Sequence, residues 1–176
     1  NMKRHCDSSI EELISALNQS ELLHRYETGS LTSQAFFEEV KKISSFRHGY
    51  EEVGPLFADI FTPIPEMIDL QQRLQSRGVP TYIFSNTNEI AVGHIRRSYP
   101  FFASFTGYVL SYEQGAMKPN PRIYEVVEEL TGGRGGELLY IDDRPENIEQ
   151  GKYRGWQVIE LVSPEQTVGH TEALLA

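Results

Sequence analysis

Apolar residues recur along this chain in two rhythms, and the change between them falls near residue 64. Before that point the spacing is helical. Ser9 followed by Glu12 reads as a capping box, and Ile10, Leu13, Ile14 and Leu17 then share one face. A short segment over about residues 21–28 runs into Gly29, a natural helix stop. Thr32 or Ser33 can cap another helix with Phe36, Phe37, Val40 and Ile43 as its buried stripe, and a fourth helix is predicted over about 51–60. These predict a small helical domain over residues 1–63.

From Ile64 onward helical and extended patterns alternate, the signature of a parallel sheet with crossover helices. Met67, Leu70 and Leu74 line a helix that stops at Gly78, and residues 79–84 form a strand. A helix over 89–97 and a short strand over 108–110 follow. Asn120 then caps a helix with Pro121 in its first turn and Ile123, Val126, Val127 and Leu130 on its face. Strands over 138–141 and 156–161 complete the series. The prediction is α/β, with four strands in a doubly wound core over residues 64–176.

Chemistry gathers at the ends of the apolar runs. Ser85 and Asn86 follow Tyr82-Ile83-Phe84, Lys118 sits between Met117 and Pro119, and Asp142-Asp143 close Leu138-Leu139-Tyr140-Ile141. In a parallel α/β sheet such ends line one edge, where ligands bind. A hydroxyl, an ammonium and paired carboxylates suit a phosphoryl group and Mg²⁺, because adjacent acids repel unless a cation or a proton compensates them. Each residue also has a plainer reading. Ser85-Asn86-Thr87-Asn88 suits a turn and helix cap, Lys118 a surface lysine, and Asp142-Asp143 an Asx turn with solvated acids. The cluster Gly132-Gly133-Arg134-Gly135-Gly136 precedes a strand rather than opening a helix, so it reads as a flexible connection, not a nucleotide loop.

Composition narrows the partners. With 39% hydrophobic and 23% charged residues among 176, this is an ordinary soluble chain able to bury a core. A formal charge of -9 argues against nucleic acid, which is usually met by a basic stripe. The single cysteine, Cys6, cannot form an internal disulfide, and no Cys/His set has zinc spacing, so a reducing cytoplasm fits. No apolar run approaches the roughly 20 residues of a membrane span. His5, His24, His48, His94 and His170 show no metalloprotease or triad spacing.

The ordered motifs Phe84-Ser85-Asn86-Thr87-Asn88, Gly115-Ala116-Met117-Lys118-Pro119-Asn120-Pro121 and Ile141-Asp142-Asp143 resemble those of the haloacid dehalogenase superfamily, especially its epoxide-hydrolase-like and sugar-phosphatase branches. The resemblance implies a Rossmann-like core under a small helical cap. It implies that Ser85, Asn86 and Lys118 bind the phosphoryl oxygens, that Lys118 steadies a nucleophilic carboxylate, and that Asp143 ligates Mg²⁺ with Asp142 supporting. Asn147 falls where many members place a further acid, a weaker metal position. The implied activity is hydrolysis of a small phosphorylated metabolite through an aspartyl-phosphate, with catalytic roles for Lys118, Ser85 and Asp143. The family's first motif, an apolar strand ending in Asp-x-Asp or Asp-x-x-Gly, is absent from this sequence, and Asp7 follows a segment too polar for a buried strand. The first central strand and its nucleophile are therefore expected upstream of residue 1. A 2-haloacid dehalogenase and a catalytically silent binding module are the alternatives.

Overall fold

The computed structural model describes residues 21–43 and 61–175. The helices expected over 10–17 and 51–60, with Cys6 and Asp7, lie outside the described residues. The described elements are α1 (Leu22–Glu27), α2 (Ser33–Ile43), α3 (Pro65–Ser76), β1 (Tyr82–Ser85), α4 (Glu89–Ser98), β2 (Gly107–Leu110), α5 (Ser111–Gln114), α6 (Pro121–Thr131), β3 (Leu139–Asp142), α7 (Pro145–Tyr153), β4 (Gln157–Glu160) and α8 (Pro164–Leu174). They fall into two compact units. One holds α1, α2 and residues 85–104 and 110–117; the other holds residues 62–84, 105–109 and 118 onward.

In the first unit, α1 stops where Gly29 turns left-handed at φ 69°. A Cβ built there would lie 2.0 Å from the Tyr112 carbonyl oxygen, so only glycine fits. Thr32 caps α2 by accepting the Ala35 N–H at 3.2 Å. Tyr26 stacks on Phe36 at 4.3 Å between centroids, and Phe37 meets Phe36 edge-on at 5.5 Å. The expected stripe holds through Val40, but Ile43, at the last position of the helix, is 42% exposed.

The second unit carries the sheet. Here β3 and β4 pair in parallel with Leu139 opposite Gln157 and Asp142 opposite Glu160. β1 neighbours β2 in a separate two-stranded sheet. Four strands were expected, and among the described residues the two pairs do not join. Helix α7 packs on β3 and β4, while α8 packs on β4 and α3. The α/β architecture therefore stands, with smaller differences at its boundaries. β1 starts at Tyr82 rather than Val79, because the Val79 N–H closes the end of α3 by donating to the Leu74 carbonyl. Helix α8 went unforeseen because its buried face carries Thr167 and Thr171, two polar residues without an apolar stripe. The glycine cluster is an ordered turn: Gly132 ends α6 at φ 71°, and the Arg134 N–H donates to Glu137 Oε2 at 2.9 Å.

Helix α6 shows where periodicity misleads. Its buried positions are Ile123, Tyr124, Val127 and Glu128, whereas Leu130 is 48% exposed. The buried face is rotated from the apolar one because Glu128 finds cationic partners inside the fold.

Candidate functional site

The carboxyl end of β3 delivers Asp142 into a buried cluster. Alternation along a strand places Tyr140 and Asp142 on the same face. The Tyr140 hydroxyl donates to Asp142 Oδ2 at 2.7 Å, and Lys118 Nζ donates to the same oxygen at 2.6 Å. The other oxygen, Oδ1, accepts the Arg144 backbone N–H and the Asn147 side-chain amide, both at 2.9 Å. The first of these closes an Asx turn, so the turn expected at this pair is real, and it coexists with the ion pair.

Lys118 and Asp142 side chains are 8% and 6% exposed. Besides Asp142, Lys118 Nζ donates to the Phe84 carbonyl at 2.8 Å, and it lies 4.7 Å from the Phe84 ring centre and 5.6 Å from that of Tyr140. Burial pushes the ammonium's pKa down, with the Asp142 carboxylate opposing. Burial also pushes the Asp142 carboxyl up, but the bond and charge of Lys118, with Tyr140 and Asn147, hold it below its ordinary value. Asp142 is thus a carboxylate, and Lys118 stands beside it as a cation. Burial, and then the bond to Asp142, push the Tyr140 phenol strongly up, so it remains a donor.

An aromatic layer supports these groups. Phe84, Tyr124, Tyr140 and Trp156 meet pairwise at centroid distances between 5.0 and 6.5 Å, mostly edge to face. The Tyr124 hydroxyl donates to the Asn147 carbonyl at 2.9 Å, which seats the first turn of α7 and with it the amide that orients Asp142.

Asp143 differs from its neighbour. It is exposed, and among the described residues no side chain hydrogen-bonds or pairs with its carboxylate. Magnesium takes oxygen ligands, keeps several waters and uses only one or two carboxylates. The donor set fits a share of such a site: Asp143 offers a carboxylate to solvent, whereas both Asp142 oxygens already accept protein donors. No group of three or more His, Cys, Asp or Glu side chains that could hold an ion by itself occurs among the described residues.

Ser85 and Asn86 belong to the other unit. The Ser85 hydroxyl donates to the Asn86 carbonyl at a long 3.3 Å. Asn88 ends the loop as the cap of α4, its side chain accepting the Ala91 N–H at 3.0 Å. The helix-cap reading of this tetrapeptide is therefore correct for Asn88, one residue type doing the capping while the hydroxyl stands three positions earlier.

Residues 10–154 match the family model for haloacid dehalogenase-like hydrolases. The chain belongs to this family. Among relatives of the haloacid dehalogenase-like chain is acyl-CoA dehydrogenase family member 10 of Mus musculus, 24% identical over 161 residues. That match covers 86% of this chain but 15% of the relative, so the chain spans a small part of that protein. Two solved structures are similar in fold. A predicted haloacid dehalogenase-like hydrolase from Porphyromonas gingivalis has a TM-score of 0.77 at 20% identity, covering 97% of this chain and 92% of its own. A family enzyme from Bacteroides thetaiotaomicron, in complex with magnesium and inorganic phosphate, has a TM-score of 0.74 at 20% identity, covering 88% and 87%.

The structure thus brings Lys118, Asp142 and Asn147 into one hydrogen-bonded cluster with Asp143 at its exposed margin. Tyr140, Tyr124 and Phe84 were not anticipated there. For Tyr140 a signal existed, since it stands two residues before Asp142 on one strand face. For Tyr124 and Phe84 the contact depends on which helix and strand pack together.

Proposed function

We propose that this chain carries the phosphate-handling machinery of a Mg²⁺-dependent phosphatase of the haloacid dehalogenase-like family, acting on a small phosphorylated metabolite. The observation that carries the reading is the buried Lys118–Asp142 pair set beside the exposed Asp143 carboxylate. A phosphoryl group needs a fixed cation, and Asp142 fixes this one. The magnesium and phosphate in the Bacteroides thetaiotaomicron enzyme of similar fold agree with such a ligand pair.

In this reading Lys118 meets the phosphoryl oxygens and steadies the nucleophile, and Ser85 and Asn86 contribute a hydroxyl and an amide. Asp143 gives a carboxylate to the metal; Asp142 and Asn147 act through the groups they orient. Bound Mg²⁺ supplies compensation for charge on the equatorial oxygens. The reading calls for a nucleophilic Asp. Its carboxylate oxygen attacks phosphorus, the ester P–O bond breaks, and the leaving alcohol takes a proton from a general acid. Water then attacks the aspartyl-phosphate, returning the carboxylate and releasing inorganic phosphate. The single Cys6 and the acidic charge agree with a cytoplasmic setting and a small-molecule partner. Among the described residues no helix is long and apolar enough to cross a membrane.

The test is a panel of phosphomonoesters offered to the full-length protein with Mg²⁺ and with excess EDTA. Turnover that EDTA abolishes and Mg²⁺ restores is expected. Turnover that survives chelation would overturn the reading in favour of dehalogenase-type chemistry. No turnover, together with retained phosphate binding, would mean a silent binding module.

A further inference from the structure

Ser111 opens α5 directly after β2, seven residues ahead of Lys118 in the chain, and is fully buried at 0% exposure. Its hydroxyl accepts the Thr87 N–H at 2.9 Å and donates to the Thr87 carbonyl at 3.0 Å. The N–H belongs to the peptide joining Asn86 and Thr87, and the carbonyl to the peptide joining Thr87 and Asn88. One side chain therefore fixes two consecutive peptide planes.

The first of those planes reaches Ser85. Its carbonyl, that of Asn86, accepts the Ser85 hydroxyl at 3.3 Å. Ser85 is thus connected to Ser111 through a single rigid peptide group. Thr87 lies between β1 and α4, so neither a strand ladder nor a helix orders it, and such backbone must be ordered by side chains. Three further contacts in the same unit brace the region. Ser33 Oγ donates to Glu89 Oε2 at 2.5 Å, the Ile90 N–H reaches the Tyr26 hydroxyl at 3.4 Å, and Gly29 packs against the Tyr112 carbonyl.

We propose that Ser111 is a positioning residue, clamping Thr87 so that the loop of residues 85–88 holds the Ser85 hydroxyl ready for a phosphoryl oxygen. The inference rests on the phosphate reading above. Without the clamp the Thr87 N–H loses its buried partner, and the two peptide planes must turn to find another.

The experiment is calorimetric titration of inorganic phosphate, with Mg²⁺ present, into full-length wild type, Ser111→Ala and the nearly isosteric Ser111→Cys, alongside thermal unfolding of each. Working well below every unfolding transition, Ser111→Ala, which removes both bonds to Thr87, should weaken phosphate binding by about tenfold, as expected if the single hydrogen bond from Ser85 to the phosphate is lost. Ser111→Cys, a weak donor and acceptor, should fall between. A purely structural serine would lower the unfolding temperature and leave phosphate affinity unchanged, and that result overturns the inference while the phosphate reading stands. Wild type that binds no phosphate overturns both. Should Ser111→Ala fail to fold, unchanged affinity in Ser111→Cys overturns the inference equally.

Discussion

The parallel pair β3–β4 has a buried carboxylate at each end, and the two have different partners. Glu128 lies near the amino ends, where Trp156 precedes β4. Arg154 forks onto it through Nε and Nη2 at 2.8 and 2.6 Å, Arg134 adds a bond at 2.6 Å, and Trp156 Nε1 donates at 3.0 Å. Asp142, at the carboxyl ends, also accepts four donors, but only one is a side-chain cation, and it is a lysine. The bond to Arg154 leads the forces that hold the Glu128 carboxyl down at about 2. Guanidinium groups stay charged and lock in a planar fork, whereas a buried ammonium is a compact point charge sensitive to its surroundings. What sets Asp142 apart is its lysine partner and the exposed Asp143 beside it.

The most damaging way to probe this difference is Asp142→Ala. It leaves the Lys118 cation buried without its carboxylate and should cost about 3 to 5 kcal/mol in urea unfolding. Replacing both members, as in Lys118→Met with Asp142→Leu, should recover most of that stability while abolishing phosphate binding. A loss below about 1 kcal/mol in the single variant would mean the pair is not a desolvated one.

Glu128 should respond to acid. Its folded pKa lies below its ordinary value of 4.5, at about 2, so its contribution to stability is complete above pH 4.5 and fades as pH falls towards 2. The amount is on the order of 3 kcal/mol. Glu128→Gln should therefore be less stable than wild type at neutral pH, and the gap should close between pH 4.5 and 2. Phosphate binding at neutral pH should not change. A gap independent of pH would show that the arginines stabilise something other than the Glu128 charge.

The smallest expected effect on stability belongs to Asp143→Asn. An exposed carboxylate that no described side chain hydrogen-bonds should change unfolding by no more than about 0.5 kcal/mol in metal-free buffer. Mg²⁺ should raise the unfolding temperature of the wild type but not that of Asp143→Asn. If Mg²⁺ stabilises both proteins equally, the metal is held elsewhere.

Local spacing made much of this molecule readable. Alternation of helical and extended runs predicted the four described strands and the α/β class, since those rhythms reflect which side of an element faces a core. Asn120 with Pro121 predicted the start of α6, and Gly29 and Gly78 the ends of α1 and α3, because caps and left-handed turns depend on a few adjacent residues. Ser85 and Asp142-Asp143 were likewise readable, as each closes a strand, whereas Lys118 comes eight residues after β2, beyond α5. The packing settled the rest. It turned Glu128 inward and Leu130 outward on α6, joined Tyr124 to Asn147, gave Asp142 to Lys118 while leaving Asp143 to solvent, and set Ser111 against Thr87. Each of these pairings links residues brought together by the meeting of separate elements. A side chain's own neighbours carry no record of that meeting, because burial of a polar group is decided by whether the fold supplies its partner.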